Sequence, residues 1–269
     1  MVSLSNHERR RARRTSLDAG NRRILISGAT GAIGAALADA YARPGVTLYL
    51  HGRNETRLAE VAERCRTKGA EVMTQRFDLR EFATLQTWLQ GLEPLDLVIV
   101  NAGVNTHVGS SGEPEPWDAA EALLDVNLKA AMLMTQAVLP GMRTRGRGQI
   151  ALISSLAAYF GLPVTPAYCA SKAGLKAYGE ALRGWLAPEG IRVNVVMPGY
   201  VQSPMCDDMP GPKPFLRSPE RAARAIVRGL ERDRARISFP FPLNLGTWLL
   251  AVMPAGLSTR ILRWMGYGA

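Results

Sequence analysis

The sequence predicts a doubly wound α/β domain on a parallel sheet, and three observations carry the prediction. From Arg22 onward, short apolar runs of strand length alternate with longer stretches of helical period. The runs are apolar throughout rather than every second residue, as strands covered on both faces must be. The chain has 269 residues, 47% of them hydrophobic, which suits one large core; no internal repeat or linker interrupts it before about residue 235.

The first strand is Ile24-Leu25-Ile26, running into a glycine-bearing turn and an alanine-rich helix near 32–43. Val46-Thr47-Leu48-Tyr49-Leu50 is the second strand, followed by a helix near 54–68. A weaker strand runs through 71–76 and precedes a helix near 80–90. Leu97-Val98-Ile99-Val100 leads to a helix near 117–142, and Gln149 to Ile153 leads to another near 166–187. Ile191 to Val196 is the sixth strand. Residues 198–219 carry Pro198, Pro204, Pro210, Pro212, Pro214 and Pro219, so they form a long loop. It leaves the carboxyl end of a strand, where open α/β sheets bind ligands. A last weak strand runs through 235–239. The chain therefore divides into a basic, disordered tail at 1–21, the α/β domain at 22–239, and an apolar, basic helical segment at 240–269.

Composition excludes several classes. Cys65, Cys169 and Cys206 lie far apart with no CxxC pair, which argues against a disulfide scaffold or cysteine-zinc site and fits a cytoplasmic protein. His7, His51 and His107 lack metal-ligand spacing, so no metal is expected. Of the net charge of +10, residues 1–23 supply +5, seven arginines against Glu8 and Asp18. That segment reads as a solvated tail, or as one adhering to anionic lipid or nucleic acid. It has no apolar run like a secretory signal, and no aromatic platform that would make a nucleic-acid site.

The first βα turn is Ser27-Gly28-Ala29-Thr30-Gly31-Ala32-Ile33-Gly34. Glycines there let the backbone turn tightly and approach a pyrophosphate, whose charge meets the helix N-terminus. The second strand ends His51-Gly52-Arg53-Asn54. An NAD-selective site places an acid here for the ribose 2′-hydroxyl; Gly52 takes that position, and Arg53 offers a donor fork suited to a 2′-phosphate. NADP(H) is the preferred cofactor, with NAD(H) allowed; the plain alternative makes Arg53 a solvated helix-capping residue.

Ser155 follows the fifth strand, and Tyr168 and Lys172 come thirteen and seventeen residues later. At i and i+4 on a helix, Tyr168 and Lys172 share a face. The ammonium is expected to lower the phenol's pKa from about 10, making it a general acid for a carbonyl oxygen gaining charge. Ser155 can donate a second hydrogen bond to that oxygen.

With these residues the chain resembles a short-chain dehydrogenase/reductase of the single-domain, Rossmann-type kind, over about residues 22–239. The resemblance implies a catalytic tetrad of Asn127, Ser155, Tyr168 and Lys172, with Asn127 holding a water that links the lysine to solvent. It implies further cofactor contacts. These come from Gly28, Thr30, Gly31, Ile33, Gly34 and Arg53; from Asp78 and Leu79 at the adenine; and from Asn101, Ala102 and Gly103 at its ribose. Pro198, Gly199, Val201 and Ser203 follow, with Ser203 in place of the family's threonine, and Tyr168 and Lys172 serve the cofactor as well. Two features depart from the family. Gly28, Gly31 and Gly34 follow the spacing of the extended branch, which includes epimerases and dehydratases, and the segment beyond 239 has no counterpart.

In that segment Leu250, Met253, Leu257, Ile261 and Trp264 form one stripe interrupted by Pro254, flanked by Arg260 and Arg263. It reads as a helix on the substrate cleft or a subunit neighbour, or as an amphipathic segment in a membrane interface. Its uninterrupted apolar run, about Leu245 to Pro254, is too short to span a bilayer. The expectation is an NADP(H)-dependent oxidoreductase interconverting a carbonyl and an alcohol, homo-oligomeric, without nucleic acid. Its substrate is small, hydrophobic or lipid-like, and it resides in the cytoplasm or at the inner face of a membrane. The loop 199–219 and the segment 104–116, with His107, are expected to shape the pocket. An epimerase or dehydratase, or a non-catalytic nucleotide-binding regulator, is the alternative.

Overall fold

The computed structural model describes residues 21–109 and 111–267; the arginine-rich opening segment lies outside the described residues. Seven parallel strands form one sheet in the order β3-β2-β1-β4-β5-β6-β7. In chain order they are β1 (Arg22–Ile26), β2 (Val46–His51), β3 (Glu71–Gln75), β4 (Leu97–Val100), β5 (Gly148–Ile153), β6 (Ile191–Pro198) and β7 (Arg236–Phe239). Both weak strands are present, as the outermost pair. The first six helices are α1 (Ala32–Tyr41), α2 (Glu55–Thr67), α3 (Phe82–Gln90), α4 (Trp117–Leu124), α5 (Ala130–Thr144) and α6 (Pro166–Leu186). After them come a four-residue helix α7 (Pro204–Asp207), then α8 (Pro219–Glu231), α9 (Leu243–Val252) and α10 (Ala255–Leu262).

The period of two along each strand divides the core. Ile24, Ile26, Leu48, Leu50, Leu97 and Ile99 face α1, α2 and α8, where Leu37, Leu58, Val61, Ala222 and Ile226 meet them. Leu25, Val98, Val100, Ile150 and Leu152 face α3, α5 and α6, against Leu85, Met134, Met142, Leu175 and Leu182. Both faces are thus buried, which only crossover helices on either side allow. The order reverses between β1 and β4, and at that switch point the strands' carboxyl ends splay apart into a crevice.

The long helix from 117 to 144 is not regular. A π-helical turn at Asp125–Lys129 joins α4 to α5 and buries Asn127. Residues 198–219 form a loop that α7 alone interrupts, held at its base by a bridge between Val201 and Arg217.

The C-terminal segment corrects one expectation. Pro254 separates α9 from α10, and the expected stripe holds in part: Leu250, Met253 and Ile261 pack into one cluster. Leu250 turns inward, but Leu257 is 48% and Trp264 88% exposed. Leu262 and Tyr267, off the expected stripe, are buried instead, in a satellite core with Val164, Phe160, Leu162 and Tyr200.

Candidate active site

The loops at the carboxyl ends of β1 to β6 surround one cavity of about 460 Å³. Gly28, Thr30, Gly31, Ile33, Arg53, Asp78, Leu79, Asn101, Ala102, Gly103, Ser155, Tyr168, Lys172, Pro198, Gly199, Val201 and Ser203 all line it. Gly34 and Asn127 stand behind its wall, and His107, expected at the pocket, is exposed outside it.

The glycine turn is held by the next loop along. Gly28 has φ +66°, and a Cβ there would lie 2.7 Å from Ala102 Cα, so a side chain would be strained and crowded at once. Ser27 Oγ accepts from the N–H groups of Asn101 (3.0 Å) and Ala102 (3.1 Å), while Asn101 Nδ2 donates to the Ser27 and Gly28 carbonyls. A Cβ on Gly34 would meet the Gly28 carbonyl, so this glycine lets α1 pack under the turn. A Cβ on Gly31, in contrast, would meet only that carbonyl, at 3.3 Å. Gly31 sits at the start of α1 with its surface on the cavity, so the helix's free N–H groups face that space. This cradle fits a pyrophosphate.

Beyond β2, Gly52 is covered by Thr30. A Cβ at 52 would lie 2.5 Å from Thr30 Cγ2, so the acid of an NAD-type site would have to displace the Thr30 side chain. Asn54, not Arg53, caps α2, accepting from Arg57 N–H at 3.0 Å. Arg53 reaches to 3.8 Å from Asp78, whose carboxylate Arg80 grips at 2.8 Å and holds well below the usual range. Arg57 joins Arg53 on the cavity wall and makes no ion pair among the described residues. Its place one turn after Arg53 was the signal that could have revealed it. Nearby, His51 Nε2 lies 3.1 Å from the Phe77 carbonyl and so carries the proton, while burial lowers the ring's pKa to about 4. Its Nδ1 is then a lone-pair acceptor, and among the described residues it is the one buried side-chain polar atom without a partner. The cradle, the Arg53 and Arg57 guanidinium groups and this orphaned acceptor fit a phosphorylated adenosine.

At the other end, α6 presents Tyr168 and Lys172. Pro166 opens the helix, where its missing N–H costs nothing. Glu115, fifty-two residues away in sequence, accepts from Ala167 N–H at 2.9 Å and from the Thr106 hydroxyl at 2.5 Å. A carboxylate at the helix's positive end holds the turn that bears Tyr168. Ser154 Oγ donates to the Lys172 carbonyl at 2.7 Å, tying α6 to β5. Asn127 clasps Val104, accepting from its N–H at 2.8 Å and donating to its carbonyl at 2.9 Å, and also donates to Ser171 Oγ. A Cβ on Gly103 would lie 3.2 Å from Asn127 Oδ1 and 3.3 Å from Lys172 Nζ, so these three residues converge.

The electrostatics correct the expected role of the lysine. Burial pushes the Tyr168 phenol up to about 12, with a hydrogen bond to Ser155 pulling the other way. Burial also pulls Lys172 down to about 8. The ammonium lies 5.5 Å from the phenol ring centre and donates to the Ile153 carbonyl at 2.9 Å. Desolvation outweighs the Ser155 hydrogen bond, and the phenol is held protonated. Ser155 Oγ accepts from Ala157 N–H at 3.1 Å, which leaves its own proton to donate.

Past Tyr168 the cavity becomes apolar. Phe160, Leu162, Met209, Leu250, Leu262 and Met265 line it, the last three from the C-terminal segment. Tyr200 and Tyr267 pair their hydroxyls at 2.7 Å, and Tyr267 donates to the Pro212 carbonyl, which fastens the segment to the loop after β6.

Comparison with known proteins agrees with this geometry. The family model for short chain dehydrogenases matches residues 22–211. An uncharacterized oxidoreductase of Myxococcus xanthus is 33% identical over 237 residues, covering 87% of this chain and 93% of that protein. The ketoacyl reductase HetN of Nostoc is 31% identical over 259 residues, covering 90% and 88%. A short-chain dehydrogenase from Sphingobium yanoikuyae, solved in complex with NADPH, superposes with a TM-score of 0.77 at 25% identity, covering 88% of this chain and 95% of that one. Topology, the cradle at the switch point and sequence similarity thus converge, and the chain belongs to the short-chain dehydrogenase/reductase family of oxidoreductases.

Proposed function

We propose that this chain is an NADP(H)-dependent reductase of carbonyl groups carried on apolar frameworks, with Tyr168 as its proton donor. The observation that carries the reading is the single cavity that runs from the glycine cradle past Ser155, Tyr168 and Lys172 into an apolar chamber. When bound, the nicotinamide dinucleotide supplies the hydride. Gly28, Gly31 and the start of α1 would hold its pyrophosphate, and Arg53 and Arg57 its 2′-phosphate. Tyr168 Oη gives its proton to the carbonyl oxygen as negative charge grows there, and Ser155 steadies the same oxygen with a second hydrogen bond. A protonated phenol is the form that donates when the carbonyl is reduced. Lys172, charged below about pH 8, places a positive group behind the phenol as its proton leaves. The Ile153 carbonyl positions that lysine.

The chamber sets the substrate class. Its side chains are mostly apolar, the Thr247 hydroxyl bonds to its own helix, and the two tyrosine hydroxyls are already paired, so it offers few partners to a polar substrate. That HetN is described as a ketoacyl reductase is consistent with a carbonyl on an acyl-like chain. Each methylene moved from water into such a chamber contributes about 0.8 kcal/mol, about fourfold in kcat/KM. NADPH oxidation measured over ketones of increasing chain length should show that rise until the chamber is full. A flat series, or a preference for polyhydroxylated ketones, overturns the reading.

A further inference from the structure

We infer that the outer face of the C-terminal helices is a docking surface for a bilayer containing anionic lipid. The helix α9 carries no charged residue, and its two polar side chains, Asn244 and Thr247, bond to neighbouring protein groups. Leu243, Thr247 and Leu250 turn inward and line the cavity, while Leu245, Trp248, Leu249 and Val252, at helical spacings of three, one and three, form the opposite face and are exposed. Phe241, one turn earlier, is 73% exposed. A contiguous exposed apolar face of this kind marks an interaction surface, and here only the opposite side of the helix is covered. On α10 and the turn after it, Leu257 and Trp264 are exposed as well, near Arg260 and Arg263 in sequence.

Charge selects the occupant. Residues 238–269 carry those two arginines and no acidic residue. Tryptophans and arginines around an aliphatic face match a lipid interface, with rings at the headgroup level and guanidinium groups on phosphates. A second copy of the chain fits less well. A two-fold contact would set the patch against itself, arginines included, with no carboxylate of the segment to offset them. The surface is also continuous with the cavity: Met265 lines the chamber and is 37% exposed, so the mouth opens beside the face that would meet the lipid. The inference concerns the outer surface alone, and its test needs neither cofactor nor substrate.

The experiment uses the full chain with vesicles of phosphatidylcholine, with and without phosphatidylglycerol, some bearing brominated acyl chains. Tryptophan emission should be quenched by bromine in the anionic vesicles, and Trp248→Phe with Trp264→Phe should remove that quenching. Leu249→Ser with Val252→Ser should weaken the partitioning read by quenching at least tenfold; a melting curve checks that the variant folds. Arg260→Gln with Arg263→Gln, entirely at the surface, should abolish the preference for phosphatidylglycerol. Binding without bromine quenching places attachment in the basic opening segment and overturns the inference. So does a dimer in sedimentation equilibrium that loses its association on Leu249→Ser with Val252→Ser.

Discussion

Removing Arg53 or Arg57 should separate the two nicotinamide cofactors. Arg57 pairs with no acid among the described residues, and Arg53 has one long, shared partner. Asp78 lies 3.8 Å from Arg53, but it is gripped by Arg80 at 2.8 Å. A unit charge about 4 Å from a phosphate oxygen is worth about 1 kcal/mol in water and about 4 kcal/mol at a protein surface of effective dielectric near 20. The Arg53 side chain is 60% exposed, which puts its contribution toward the lower end, about 1–2 kcal/mol. Arg53→Ala and Arg57→Ala should each raise the Kd for NADPH by about five- to thirtyfold and change that for NADH by less than twofold. Titration of cofactor fluorescence at two salt concentrations reads both effects, because the discrimination must shrink as screening grows. Equal losses for NADPH and NADH, or losses indifferent to salt, would refute the assignment of these arginines to a 2′-phosphate.

Two further variants test the scaffold behind the site. Glu115→Ala removes the acceptor of Ala167 N–H and of the Thr106 hydroxyl, and should destabilise the chain by about 1–2 kcal/mol in denaturant titration, since a lost cap costs that much. His51 is held neutral, its pKa lowered from 6.5 to about 4. Between those values the unfolded chain binds more protons than the folded one, so stability falls as the pH drops through that window, by about 3 kcal/mol in all. His51→Leu should flatten that dependence in melting curves between pH 7 and 4; an unchanged slope would show that another group titrates there.

The fold was legible because its signals are local. Apolar runs such as Leu97 to Val100 mark strands covered on both sides, and both weak edge strands lie where they were expected. The pairing of Tyr168 with Lys172 was legible for the same reason, since i and i+4 fix a shared helix face. What escaped depends on contacts between distant segments. No spacing rule links Glu115 to the helix it caps, and none shows that Asn127, in a π turn, would clasp Val104. The direction of the Tyr168 shift was missed because proximity of a cation is visible in sequence and depth of burial is not. The C-terminal stripe failed in part past Pro254, where counting residues across a helix break sent Leu257 and Trp264 to the wrong side.

Steady-state turnover of Tyr168→Phe, read beside its Kd for NADPH, tests the account most directly. The substitution keeps the ring and deletes one oxygen from a half-buried side chain that lines the cavity. Loss of the proton donor should lower kcat by about 10²–10⁴-fold, with NADPH affinity within about twofold of the parent chain. A variant that keeps a tenth or more of the parent turnover would contradict the role given to this phenol.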